Sequence, residues 1–325
     1  MIPTITLEEH FVSEAEAASA GQPPAIELYD ATALWRKLRD LGDERIKDMD
    51  EGDVSFQVIS HNAAYNSSDA EVCRKSNDEL YGAITRNPTR FAGFATLPMG
   101  DAAAATEELE RCVKELGFLG ALVCNHARGE FYDGKRYHQF FAKLQELDVP
   151  LYLHPTNAWK DTSAHYEGNY RQEVSIALGG YLWGWHSETG LHFLRLFHGG
   201  LFDKFPKLKI VLGHNGEMLP FMIDRINNFY SRHPDQTRSL MTVWNENIWI
   251  TTSGMFTVTP FATLIRSTSV DRILYSIDYP FEDNKDGQEF LKKLKRSGFV
   301  TDEEMEKICY KNAEKLLNFK LKALE

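Results

Sequence analysis

Eight short apolar runs punctuate this 325-residue chain, and their number and spacing constrain its fold more than any other feature. They read "ITLEEH", "VSFQVIS", "RFAGFATLP", "GFLGALVCN", "VPLYLHP", "LKIVLGH", "NIWITTS" and "RILYSID". Each has the length and the β-branched or aromatic content of a buried strand. Stretches with helical spacing separate them, among them "DAEVCRKSNDELYGAITRNP", "DAAAATEELERCVKELG", "RYHQFFAKLQELD" and "GEMLPFMIDRINNFYSRH". Alternating strands and helices make a parallel sheet, and eight repeats at this length favour closure into a (β/α)₈ TIM barrel. The expected domain is a single unit over residues 1–325. An open doubly wound sheet would carry a Gly-rich phosphate loop after its first strand. Here that strand runs into "FVSEAEAASAGQPPAIEL", a long loop without the fingerprint.

Three segments distort the pattern: residues 11–30 as a loop over the mouth, residues 156–185 as an excursion after strand five, and residues 285–325 as a charged helical extension. Helix ends carry their usual signals, with Ser68 and Glu71 as a capping box, Asp101 as an N-cap and Gly117 as a C-cap. A hydrophobic content of 43% supports a large core, and a formal net charge of −11 excludes a phosphate backbone as partner. No run of about 18 apolar residues is present to span a bilayer, and the N-terminus has no basic and apolar leader. A cytoplasmic protein without a membrane partner is expected. Cys73, Cys112, Cys124 and Cys309 form no paired-cysteine motif and read as free thiols.

Active sites of barrel enzymes lie at the C-terminal ends of the strands, so the last residues of each run carry the functional signal. Strand one ends in Glu8 and His10, strand five in His154, strand six in His214 and strand eight in Asp278. Singly each is an ordinary strand end; together they put five titratable groups on one mouth. Two imidazoles and two carboxylates suit one divalent cation, with zinc, manganese and magnesium all compatible. "GFLGALVCN" has no lysine at its end to bridge a second ion as a carbamate. In "GHNGEMLPFMIDR", a helix starting near Gly216 would put Glu217 in its first turn, orienting His214 as a general base. Arg225, two turns along, would then pair with Glu217.

The motifs "LEEHF", "FAGFATLPMGD", "EELERCVKELGFLGALV", "LDVPLYLHP", "GLFDKFPKLKIVLGHNGE", "ENIWITTSG" and "DRILYSIDYPFE" resemble the amidohydrolase superfamily, and within it the metal-dependent decarboxylases of hydroxybenzoic acids. The resemblance covers nearly the whole chain. It implies that Glu8, His10, His154 and Asp278 hold the metal and that His214, Glu217 and Arg225 form a second catalytic set. Glu8-x-His10 in place of His-x-His marks the decarboxylase branch. The implied substrate is a small aromatic acid of the salicylate, 2,3- or 2,6-dihydroxybenzoate type, protonated by Asp278 at the carbon that loses CO₂. A homotetramer or dimer is implied as well.

Phe11, Trp183 and Phe281 are candidate clamps on the substrate ring, and Asn62 is a candidate partner for a ring hydroxyl. The segment "YRQEVSIALGGYLWGWHSETGLH" keeps Glu188 and His192 of such enzymes but differs around "GGYLWGW", and residues 19–30 are unlike theirs. A metal-dependent lactone or amide hydrolase is the rival reading, and a noncatalytic binding protein a second.

Overall fold

The computed structural model describes residues 2–20, 31–62, 69–232 and 236–321. All eight expected runs form parallel strands: β1 (Ile5–Phe11), β2 (Phe56–His61), β3 (Phe91–Gly93), β4 (Ala121–Cys124), β5 (Leu151–His154), β6 (Ile210–Leu212), β7 (Ile248–Thr251) and β8 (Ile273–Leu274). They pair in chain order as β1 to β3 and β4 to β8. The bridge Ala95↔Ala121 joins the two groups, and Glu9↔Tyr279 joins the last strand to the first, completing the distorted barrel.

Every strand residue is buried, because helices cover the outer face of a parallel sheet and side chains fill the inner one. Outward-facing Ile59, Val123, Leu153, Leu212 and Ile250 pack under the helices. Inward-facing Ile5, Leu7, Val58, Phe94, Leu122, Tyr152, Val211 and Leu274 fill the interior. The C-terminal extension closes the N-terminal end of this interior with Ala313, Leu316 and Leu317, and Phe319 packs 4.7 Å from the Phe56 ring. The opposite end of the strands is left for chemistry.

β1 departs from simple alternation. Ile5 and Leu7 face inward, yet so do Glu8 and His10, because three residues of β1 span two of β2 between the pairs Thr6↔Gln57 and Glu9↔Ile59. This bulge turns Glu8 to the inner face and Glu9 to the outer one. Ser276 stabilises it, its Oγ accepting from the backbone N–H of Leu7 at 3.0 Å and of Glu8 at 2.7 Å.

Helix ends follow local chemistry. Asp101 caps Ala102–Lys114 through the N–H groups of Ala103 and Ala104. Asp69, not Ser68, caps Ala70–Arg86; Ser68 lies outside the described residues, as do residues 21–30 of the mouth loop. Gly117 takes φ +70 two residues past the cap of its helix, at Glu115. The excursion after β5 contains the helix Gln172–Gly179 and leads into Gly184–His198. Among the described residues no helix is long and apolar enough to cross a membrane.

Candidate metal centre and active site

Four side chains from three strand ends meet at the barrel mouth. Glu8 and His10 come from β1, His154 ends β5, and Asp278 follows β8, its backbone N–H donating to the Glu8 carbonyl at 2.9 Å. One ligand atom from each lies within 4.8 Å of the others. His154 Nε2 is 3.0 Å from Glu8 Oε1, and His10 Nε2 is 3.1 Å from Asp278 Oδ1.

The donor set fits one divalent ion. Glu8 Oε1 and both His10 nitrogens are buried without a hydrogen-bond partner among the described residues. Such atoms are costly unless something else satisfies them. His154 Nδ1 lies 2.6 Å from the Pro155 carbonyl, which only accepts, so Nδ1 carries the hydrogen and Nε2 presents its lone pair inward. Glu8 Oε2 takes hydrogen bonds from Tyr152 Oη and Ser253 Oγ, which fixes the carboxylate and leaves Oε1 free. Burial pushes Glu8 up, but the His214 ring and, after it, the neighbouring His154 and His10 imidazoles outweigh it and hold the carboxyl below its ordinary range. Gly213 is needed here, since a Cβ would stand 2.9 Å from Glu8 Oε2 and 3.1 Å from the Tyr152 hydroxyl.

The second set forms around an unusual turn. His214, Asn215, Gly216, Glu217 and Met218 all have positive φ, between 49° and 90°, so the expected first helical turn is a left-handed one. Regular helix begins only at Leu219. Each non-glycine residue in that conformation costs about 1–2 kcal/mol. In return, His214 Nδ1 and Glu217 Oε1 meet at 2.7 Å. Glu217 Oε2 lies 2.7 Å from His186 Nδ1. Burial lowers His214, and the Glu217 and Glu8 carboxylates outweigh it, raising the ring well above its ordinary value. Glu217 shifts down: burial opposes this, and the His214 and His186 rings prevail. His214 Nε2 faces the first set, 3.5 Å from Glu8 Oε1 and 3.8 Å from Asp278 Oδ2.

Other expected contacts rearrange. Arg225 is exposed and has no ion pair among the described residues, because the left-handed turn breaks the helical phase that would align it with Glu217. Trp183 is 53% exposed at the start of its helix, and Trp185 instead turns inward, 6.4 Å from the His154 ring. Phe11 lies on the outer face of β1, packed 5.0 Å from His61. It cannot clamp a ring at the mouth. Phe281 does stand at the site, 5.8 Å from the His10 ring. Asn62 is buried just past β2, its backbone N–H bonded to Phe11.

Sequence reasoning missed His186, Trp185, Tyr152 and Ser253. Tyr152 had a signal, lying two residues before His154 on the same strand face.

The sequence profile of the Amidohydrolase family matches residues 30–319. Decarboxylase orsB of Emericella nidulans is 46% identical, covering 98% of each chain. A gamma-resorcylate decarboxylase of Polaromonas sp. strain JS666 is 38% identical, again over 98% of each. A crystal structure of a dihydroxybenzoic acid decarboxylase from the same strain, with bound manganese and the inhibitor 2-nitroresorcinol, superposes with a TM-score of 0.87 at 38% identity, covering 98% of this chain and 97% of that one.

Proposed function

This chain belongs to the amidohydrolase family, and we propose that it is a metal-dependent, nonoxidative decarboxylase of an ortho-hydroxybenzoic acid, releasing CO₂ and a phenol. The observation that carries this reading is the facing pair Asp278 and His214, a carboxyl and an imidazole 3.8 Å apart beside the donor set Glu8, His10 and His154. The named activities of the relatives support it, as does an inhibitor that is itself a substituted resorcinol.

Glu8, His10, His154 and Asp278 would hold the ion; zinc, manganese and magnesium all suit these donors, and the relative's manganese favours that metal. When bound, the ion supplies a fixed positive charge that neutralises an anionic, oxygen-rich substrate. With the charge of Glu8 and Asp278, two of the groups that raise His214, offset in the loaded site, His214 Nε2 is free to accept the proton of the ortho hydroxyl, while Glu217 steadies the ring through Nδ1. Loss of that proton pushes electron density onto the ring carbon that bears the carboxylate. Asp278, having taken up a proton from solvent as the substrate binds, delivers it to that carbon. The C–C bond then breaks with its electron pair returning to the ring, and CO₂ leaves. The proton on His214 returns to the phenolic oxygen. Phe281 and Trp185 flank the space the ring would occupy.

Residues 1–325 are read as one catalytic unit, supported by pairing of the first strand with the segment after the last. A dimer or tetramer is part of the same reading, supported by exposed Leu191, Phe221, Met222 and Phe229 on neighbouring helices. Cytoplasmic placement is supported by four buried cysteines that form no disulfide among the described residues.

The test is incubation of the metal-loaded enzyme with salicylate, 2,3- and 2,6-dihydroxybenzoate in D₂O. NMR should show loss of the carboxylate and deuterium at the vacated carbon. Opening of lactones or amides, with every acid left intact, would overturn the lyase assignment. Asp278→Asn should lower turnover at least a thousandfold, and activity above a few per cent would remove Asp278 as the donor.

A further inference from the structure

His186 is buried in the first turn of Gly184–His198, in the stretch "GGYLWGWHSETG". Its Nε2 lies 3.1 Å from the Tyr181 carbonyl oxygen and its Nδ1 2.7 Å from Glu217 Oε2. A carbonyl oxygen only accepts, so Nε2 carries a hydrogen. A neutral His186 would thereby use its single N–H on Tyr181 and turn a lone pair towards Glu217. An ionised Glu217 has no hydrogen to offer in reply, and its other oxygen already accepts from His214 Nδ1 at 2.7 Å. The contact between His186 and Glu217 therefore closes only with one additional proton, held on His186 Nδ1 or on Glu217 Oε2. An ionised Glu217 serves the N–H of His214 on one oxygen and that of His186 on the other, so the geometry puts the proton on the imidazole.

We propose that His186 is a cationic positioning residue, whose Nδ1–H and charge hold Glu217 ionised and fixed so that Glu217 orients His214 with Nε2 towards the substrate. His186 touches none of the four metal donors; it meets Glu217 through the Nδ1 contact and the His214 ring edge to face, with 4.9 Å between ring centroids, so it positions His214 from two sides. The grouping of His186, His214 and Glu217 is accounted for by these hydrogen bonds, which engage both carboxylate oxygens and the Nδ1 atom of each ring. The kinetic consequence rests on the decarboxylase reading given above; the protonation state does not.

Two measurements separate them. In zinc-loaded enzyme labelled with [¹⁵N]histidine, long-range ¹H–¹⁵N spectra at neutral pH should show both ring nitrogens of His186 protonated, the signal being assigned by its loss in His186→Gln. One protonated and one bare nitrogen would overturn the proposal, and this readout needs no turnover. On whichever of the three acids the wild type decarboxylates, His186→Leu should lower kcat about a hundredfold with KM and zinc content little changed. His186→Gln, which keeps one N–H for Glu217, should recover about tenfold of that loss. Equal losses in the two variants, or wild-type kcat in His186→Leu, would overturn it.

Discussion

The two faces of β1 carry adjacent glutamates that meet burial in opposite ways. Glu8, on the inner face, is wrapped by hydroxyls on one oxygen and left open on the other, and three imidazoles draw its carboxyl down into the ionised state. Glu9, on the outer face, is equally inaccessible but fully engaged: Ser276 Oγ and the Ile277 N–H donate to Oε1, and the Tyr279 N–H donates to Oε2. Burial nevertheless pushes Glu9 up to about 8. One carboxyl is kept charged and incomplete, which suits a ligand. The other is kept neutral and satisfied, which suits a lock between the last strand and the first. The difference comes from one bulge, which puts Leu7 and Glu8 on the same inner face and thereby shifts the alternation so that Glu8 points in and Glu9 out.

The largest test of this contrast exchanges charge for shape at both positions. Glu8→Gln should weaken metal binding at least a hundredfold, read by metal content after dialysis, because an amide brings no negative charge to a site built around it. Glu9→Gln should retain full metal content, because Glu9 is none of the four donors, while its Tm falls by several degrees as the amide –NH2 meets the Tyr279 N–H that Oε2 now accepts. Loss of metal in the second variant, or its retention in the first, would break the distinction between the faces.

Much of this architecture was legible in the sequence, for reasons that also explain what was not. Buried parallel strands read as apolar runs, so all eight appeared, and the convergence of Glu8, His10, His154 and Asp278 followed from their places at the strand ends. The bulge was hidden because Leu7 and Glu8 look like ordinary alternation until the partner strand sets the register. The left-handed turn had a signal in the Asn215-Gly216 dipeptide, a pair that favours positive φ, and the helical periodicity beyond it masked that signal. Arg225 was misplaced because its helix starts at Leu219, three residues later than expected, which rotates the side chain by more than a right angle, whereas Trp183 stands just outside the helix Gly184–His198 and Trp185, inside it, turns to the site. The hydroxyl of Ser253 had no pattern of its own, since hydrogen-bonding partners far apart in the chain leave no local trace, whereas Tyr152 was legible only through its place two residues before His154.

The bulge itself is tested next. Ser276→Ala removes the acceptor shared by the N–H groups of Leu7 and Glu8 and the donor to Glu9. Leaving buried donors unsatisfied should cost about 2 kcal/mol, read as a lower midpoint in denaturant at unchanged slope. Metal content should stay near wild type in the folded enzyme, because Ser276 supports the strand and not the ligand. An unchanged midpoint would mean that the bulge is held by neighbouring packing alone.

The smallest expected effect probes how far the inner face depends on its hydroxyls. Tyr152 Oη donates to Glu8 Oε2 and lies 2.6 Å from Thr251 Oγ1. Burial, reinforced by the charge on Glu8, raises the phenol well above its ordinary value, so it stays a donor across the working pH range. Tyr152→Phe removes that donor with little change in volume. Glu8 keeps Ser253, so the carboxylate loses part of its orientation and none of its charge. Metal affinity should therefore fall about tenfold, in the range found when a group that orients a ligand is removed and well short of the loss in Glu8→Gln. Competition with a chelator measures it. An unchanged affinity would mean that the strand backbone alone aims Glu8, and a loss as large as that of Glu8→Gln would mean that the hydroxyl and the carboxylate act as one unit.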